Sequence, residues 1–277
     1  MTADPLLAAA SRRLRSAGVP DAAREAMRLA ALAAGCSLAE WLRRGKPLEG
    51  ESAERFLVLV DRRAQREPYA YLAGRTEFFG LELLVTPDVL IPRPETEVLV
   101  ATALAQVPRR PGRVVDVGTG SGAVALALAR HGDPAWRIEA VDLDLAALEV
   151  ARANRDRLGL SVCLYPSDLL AQVRPGLLGI VANLPYVADL DPVDPEVRYE
   201  PQNAVFAGPD GLGLIRRLVR QAPSRLQPGG WIGLEVGAGQ AQEVAERLSA
   251  AGFRPVETER DWAGVERVVW GVWPGGC

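Results

Sequence analysis

Through the first 67 residues, apolar side chains recur at helical spacing, at Leu6, Leu7, Leu14, Ala23, Met27, Leu29, Ala30 and Leu32. Three or four positions between apolar residues puts them on one stripe of a helix. Pro20-Asp21, Gly35 and Gly50 break the stripe, so the segment reads as a bundle of four or five short helices. The period then changes. Phe78, Phe79, Leu81, Leu83 and Val85 surround Gly80, which predicts a β-hairpin. In Ile91-Pro92-Arg93-Pro94-Glu95-Thr96-Glu97 the prolines hold the chain extended and then open a helix. Pro94 suits its first position, and Glu95 and Glu97 suit a first turn where the helix dipole favours negative charge. The expected organisation is a helical domain over 1–67, a linker with the hairpin over 68–90, and a larger domain over 91–277.

From Arg113 short apolar runs alternate with helical patterns. Strands are predicted at 113–117, 137–141, 160–165, 178–182 and 230–236, with helices at 121–130, 145–158, 211–222 and 240–251 between and after them. Segments 254–259 and 267–271 read as a closing antiparallel pair. This alternation implies an α/β, doubly wound and mostly parallel sheet.

Composition narrows the classes. Hydrophobic residues make up 48% and charged residues 24%, ordinary for a globular chain with a real core. The net charge of -3 speaks against a protein that grips nucleic acid through phosphates, although Arg12, Arg13 and Arg15 form a local basic patch. The three cysteines, Cys36, Cys163 and Cys277, are odd in number and far apart, which fits a reducing compartment and no metal. No basic region precedes the apolar Leu6–Ala10 run, and no apolar stretch is long enough to span a bilayer. A cytoplasmic protein without membrane contact is expected.

Candidate chemistry lies at the carboxyl ends of the predicted strands, where open α/β sheets bind ligands. Asp116-Val117 leads into Gly118-Thr119-Gly120-Ser121-Gly122, a turn whose glycines allow positive φ and close approach of a ligand. The second strand ends at Asp142, about twenty residues beyond Ser121-Gly122, where a carboxylate can accept from both ribose hydroxyls. The spacing Gly-x-Gly-x-Gly makes a poorer pyrophosphate cradle than Gly-x-Gly-x-x-Gly. Asp116 either faces a cationic ligand or braces the turn. S-adenosylmethionine, which has a sulfonium and an amino group and no phosphate, suits the site better than a dinucleotide. After the third strand, Asp168 either accepts from an adenine amino group or caps a helix, and Leu169 can cover the ring.

The fourth strand runs into Asn183-Leu184-Pro185-Tyr186. An amide or exocyclic amino nitrogen donates its lone pair into a π system and is a poor nucleophile. Acceptors that hold both N–H groups aim that lone pair at a methyl carbon. The Asn183 side-chain oxygen and the Leu184 carbonyl can serve, with the Tyr186 ring as a stacking face. Positioning is then the main contribution. His131, the lone histidine, falls in a helix-to-strand loop and reads as a surface residue. The tetrapeptide alone specifies a planar nitrogen, adenine or amide.

Several further segments carry a resemblance: Glu67-Pro68-Tyr69-Ala70-Tyr71-Leu72-Ala73-Gly74 with Glu77-Phe78, Leu90 through Glu97, Glu200-Pro201 with Gly208-Pro209-Asp210-Gly211-Leu212, and Arg260-Asp261-Trp262 with Glu266-Arg267. With the glycine turn they resemble the bacterial peptide chain release factor glutamine methyltransferases. The resemblance implies a class I methyltransferase-like, seven-stranded sheet with a small N-terminal helical bundle that recognises substrate. It implies S-adenosyl-L-methionine as cofactor, S-adenosyl-L-homocysteine as product and no metal. The substrate would be the glutamine of the Gly-Gly-Gln motif in class 1 release factors, methylated on its side-chain amide nitrogen in support of translation termination, without direct nucleic-acid binding. By the same resemblance Gly118, Thr119, Gly120, Ser121, Gly122, Asp142, Leu169 and Asn183 contact the cofactor, and Asp168 joins them from its place after the third strand. Asn183, Leu184, Pro185 and Tyr186 hold the substrate, with Asn183 and Tyr186 catalytic. The family's usual tetrapeptide is Asn-Pro-Pro-Tyr, and Leu184 departs from it while keeping the carbonyl. Because Leu184 precedes a proline it is biased to extended backbone. Asn-Leu-Pro-Tyr is also typical of ribosomal RNA adenine dimethyltransferases, so an adenine N6-methyltransferase acting on RNA or DNA is the alternative. Those enzymes carry their extra domain last and tend to be basic. A cofactor-binding regulatory module without catalysis is the reading from a different class.

Overall fold

The computed structural model describes residues 5–45 and 47–275. Cys277 lies outside them, and Cys36 and Cys163 are free thiols. The chain forms two compact units, one of residues 1–74 with 194–199, the other of residues 75–193 with 200–277.

The first unit holds α1 (Pro5–Ser16), α2 (Ala22–Ala33), α3 (Leu38–Arg44), α4 (Glu51–Ala64) and α5 (Tyr69–Ala73). Part of the stripe predicted from spacing is its core: Leu14, Leu29 and Ala30 are buried with Phe56 and Val60, and Leu6 and Leu7 pack against them. Ala23 is instead exposed and Met27 and Leu32 half-buried, because α2 turns Ala22, Ala26 and Ala33 inward. Ser37 and Glu40 form a capping box at the start of α3, each satisfying a backbone donor that the first turn leaves free. Arg63 is buried, and pairs with Glu25 and Glu196 at 2.7 Å each. Arg66 reaches Asp194 at 3.0 Å, and the Tyr199 hydroxyl donates to the Gln65 carbonyl at 2.8 Å. These bonds seat residues 194–199 on α4.

The second unit begins with the hairpin β1 (Arg75–Phe78) and β2 (Leu81–Leu84). Its turn residues Phe79 and Gly80 both have positive φ, 48° and 73°, the tight connection that matches strand twist. Next come α6 (Thr96–Gln106), β3 (Gly112–Val117), α7 (Ala123–His131), β4 (Trp136–Asp142), α8 (Leu145–Leu158), β5 (Val162–Pro166) and β6 (Leu177–Ala182). After them come α9 (Gly213–Gln221), β7 (Leu226–Glu235), α10 (Ala241–Ala250), β8 (Val256–Arg260) and β9 (Glu266–Trp273). The sheet order is β5-β4-β3-β6-β7-β9-β8. Strands β3 to β7 are parallel, and β9 runs antiparallel between β7 and β8. This is the doubly wound, mostly parallel seven-stranded sheet expected.

Side chains on these strands alternate between two cores, as period-two geometry requires. Val115, Val117, Ile180, Ala182, Ile232 and Leu234 pack with α9 and α10 on one face. Val114, Val181 and Trp231 pack with α6 and α7 on the other. Two elements differ from expectation. Helix α6 starts at Thr96, not Pro94, because residues 93–98 first make a turn of i to i+3 bonds from Arg93, Pro94 and Glu95. His131 ends α7 instead of lying in the loop, and it is exposed beside the Phe79 ring. Among the described residues no helix is long and apolar enough to cross a membrane.

Candidate active site

The glycine turn is held by its neighbour strand. The Gly118 and Thr119 amides both donate to the Val141 carbonyl, at 2.9 and 3.0 Å. Gly118, Gly120 and Gly122 take φ of 74°, 54° and 84°, a region a Cβ disfavours. Asp142, at the end of β4, accepts from the Gly120 amide at 2.9 Å through one oxygen and from the Asp144 amide at 3.0 Å through the other. Burial raises its pKa against these bonds. Each carboxylate oxygen keeps a second acceptor site. Asp116 accepts from the Thr119 hydroxyl at 2.6 Å and the Ala125 amide at 3.2 Å. Burial pushes its carboxyl up to about 7 against those bonds. It braces the turn and also lines the cleft.

That cleft lies at the carboxyl ends of β3, β4 and β6, where open α/β sheets bind ligands. Asp88, Asp116, Asp142 and Asp144 line it, and its described lining contains no lysine or arginine. Such a surface attracts a cation and repels a pyrophosphate, which disfavours the dinucleotide reading. Gly118, Thr119, Gly120, Ser121, Asn183 and Pro185 line the same cleft. Gly122 instead caps α7. Leu169 is buried in the core with φ 50°, and Asp168 pairs with Arg217 at 2.6 Å. Neither is among the described lining residues.

At the end of β6, the Asn183 amide nitrogen donates to the Thr96 hydroxyl at 2.9 Å. Leu184 is buried. The Tyr186 hydroxyl donates to Glu235 at 3.3 Å, and its pKa is raised by burial and by that carboxyl. The Tyr186 carbonyl accepts from the Gln240 side chain at 3.0 Å. A Cβ on Gly211 would lie 2.1 Å from that carbonyl oxygen, so only glycine fits there. Arg93 pairs with Glu200, which also accepts from the Ile91 amide at 3.3 Å. Segment 91–97 thus reaches the tetrapeptide through Thr96 and segment 208–212 through Gly211, while Glu200 is tied to segment 91–97.

Beyond the site residues expected from sequence, Asp144, Pro201 and Asn203 also line the cleft, and Glu235 lies against Tyr186. Glu235 did leave a signal. It is a single carboxylate in the apolar run Trp231-Ile232-Gly233-Leu234-Glu235-Val236, and a charge in a strand buried on both faces requires a partner or a role.

Two family profiles match, the PrmC N-terminal domain over residues 5–74 and the methyltransferase small domain over residues 94–197. The release factor glutamine methyltransferase of Burkholderia pseudomallei is 42% identical over 286 aligned residues, covering 99% of each chain. This chain belongs to the release factor glutamine methyltransferases. The Moorella thermoacetica member is also 42% identical, over 96% of this chain and 97% of its own. Family membership makes the chain an enzyme, a methyltransferase. Among solved structures, a methyltransferase from Pyrococcus furiosus aligns with a TM-score of 0.56 at 21% identity, over 78% of this chain and 99% of that one. That likeness establishes the class I methyltransferase fold expected from the resemblance.

Proposed function

We propose that this enzyme methylates the side-chain amide nitrogen of the glutamine in the Gly-Gly-Gln motif of class 1 peptide chain release factors, with S-adenosyl-L-methionine as donor. The observation that carries this reading is the 42% identity, from end to end, with an enzyme named for that activity. The acidic cleft running from the glycine turn to Asn183 supports it, because it suits a cationic cofactor. Bound there, S-adenosylmethionine supplies a methyl group on a positively charged sulfur.

The chain's own residues then bind and orient. Gly118 and Gly120 let backbone approach the ligand, and Asp142 accepts from ribose hydroxyls with the acceptor sites its own loop leaves open. Asp168 and Leu169 meet the adenine, with Arg217, now paired to Asp168 at 2.6 Å, sharing or releasing that carboxylate. The Asn183 oxygen and the Leu184 carbonyl accept the two N–H groups of the substrate amide, and Tyr186 flanks its plane. These acceptors counter the positive charge that develops on nitrogen, and the proton leaves late, so no strong base is needed. Residues 1–67 serve as the part that recognises the release factor outside the glutamine loop, and the reaction belongs in the cytoplasm.

The test is incubation of the enzyme and methyl-labelled cofactor with a class 1 release factor and, separately, with ribosomal RNA. Label on the Gly-Gly-Gln glutamine is expected. Label on adenine alone would overturn the reading in favour of an adenine N6-methyltransferase, and label on neither would leave a binding module.

A further inference from the structure

Gln240 ends the turn between β7 and α10, and its side chain folds back over that turn. Its Oε1 accepts from the Gly237 amide at 2.8 Å, and its own backbone amide donates to the Gly237 carbonyl at 3.1 Å. The other end of the side-chain amide points out of the turn. Nε2 donates to the Tyr186 carbonyl at 3.0 Å and lies 3.5 Å from the Asp210 carbonyl oxygen.

Every partner in this group is main chain, so no change of protonation alters who donates. A backbone N–H only donates and a carbonyl only accepts. The side chain between them must offer an acceptor to Gly237 and a donor to Tyr186 at the same reach. Glutamine does both. Glutamate would set an oxygen against two carbonyl oxygens, and methionine of similar length would offer no donor. The Tyr186 ring lies against the same turn. A Cβ on Gly237 would come 2.9 Å from the Gln240 Oε1 and 3.2 Å from the Tyr186 Cδ2, so the bare backbone at 237 lets the turn touch both. The Tyr186 hydroxyl meets Glu235, two residues before Gly237, at 3.3 Å.

We propose that Gln240 is a positioning residue for methyl transfer: by joining the Gly237 amide to the Tyr186 carbonyl it sets the Tyr186 ring against the end of β7, where that ring flanks the substrate amide. The inference rests on the reading that Tyr186 flanks the plane of that amide. Gln240 is not among the described lining residues of the cofactor cleft. Its loss therefore acts on the placement of the substrate nitrogen and spares cofactor binding.

The experiment measures methyl transfer to a class 1 release factor by the full-length Gln240→Glu, Gln240→Met and Tyr186→Ala proteins. Calorimetry gives cofactor affinity and the number of cofactor-binding sites in each preparation. Gln240→Glu is expected to lower kcat per binding site by roughly 10–100-fold and Gln240→Met by about 10-fold, with cofactor Kd within about threefold of the unsubstituted enzyme. Counting the rate per binding site removes unfolded protein, so a purely structural role would leave kcat unchanged. With the ring gone, Gln240→Glu/Tyr186→Ala is expected to fall no more than about threefold below Tyr186→Ala alone, and full additivity overturns the proposal. Undiminished kcat per site in Gln240→Glu beside an impaired Tyr186→Ala overturns the proposal and leaves the reading of Tyr186 standing. A fully active Tyr186→Ala overturns both. If Gln240→Glu does not fold, Gln240→Met decides, and undiminished kcat per site there overturns the proposal.

Discussion

The Leu184 side chain lies directly over Gly118. A Cβ built on Gly118 would come 2.8 Å from Leu184 Cδ2. The second residue of the tetrapeptide and the first glycine of the cofactor turn are therefore packed against each other, at the ends of adjacent strands β6 and β3. Leu184 departs from the family's usual proline, and in this chain its side chain fills the space that Gly118 leaves open.

Gly118→Ala is accordingly expected to destabilise the protein by about 1–3 kcal/mol, from overpacking and from the left-handed φ of 74°. In a Leu184→Ala background the contact part disappears and the φ cost remains. Urea denaturation of the two single variants and the double variant should show coupling of at least about 0.5 kcal/mol. Strict additivity would mean the contact carries no energy.

Asn183→Ala should abolish methyl transfer, by at least about a hundredfold, with the fold intact. The side chain is only partly buried, so no core cavity opens. Steady-state kinetics on the release factor, alongside circular dichroism, checks this.

Asp142→Ala should weaken S-adenosylmethionine binding by roughly 10–100-fold, through loss of ribose acceptors and of the bond to the Gly120 amide. It should slow methyl transfer at saturating cofactor by less. Calorimetry reads the first effect and single-turnover rates the second, and an unchanged Kd contradicts the ribose role.

Asp116 and Glu235 have carboxyls raised by burial to about 7 in the folded chain, from ordinary values of 3.8 and 4.5. Between those values the folded state holds protons that the unfolded chain has released. Their contribution to stability is therefore full below the ordinary values and is lost as pH rises to about 7, on the order of 1 kcal/mol per pH unit for each group. Denaturant midpoints between about pH 5 and 8 should fall with this sign. Glu235→Gln should flatten the slope, and an unchanged slope would contradict the raised value.

Arg63 is 5% exposed and joins Glu25 to Glu196. Arg63→Ala removes one of the two cations that each carboxylate has, leaving Glu25 with Arg28 at 3.0 Å and Glu196 with Arg66 at 3.1 Å, and is expected to cost about 1–3 kcal/mol in the helical unit. Chemical denaturation followed by helical signal checks it. A loss below about 1 kcal/mol would mean that water replaces the guanidinium.

What the sequence determined by itself is the content of each layer. The helical stripe of residues 6–32, the hairpin about Gly80 and the alternation from Arg113 onward are local, because side-chain period and turn chemistry act over a few residues. Strand ends, and with them the neighbourhood of Gly118, Asp142 and Asn183, follow once the sheet is parallel, since such sheets gather the carboxyl ends of their strands on one edge. Helix starts were less legible. A turn at Arg93–Glu95 precedes α6, which starts at Thr96, and beside it Arg93 and the Ile91 amide are engaged by Glu200, more than a hundred residues away in sequence. Only the tertiary structure decided which side chain faces which. It bonded Asn183 after β6 to Thr96 of α6 and Tyr186 to Glu235 at the end of β7, packed Leu184 on Gly118, and turned Asp168 to Arg217. Each of these is a contact between residues dozens of positions apart, set by how helices cover the two faces of the sheet, and no local period encodes it.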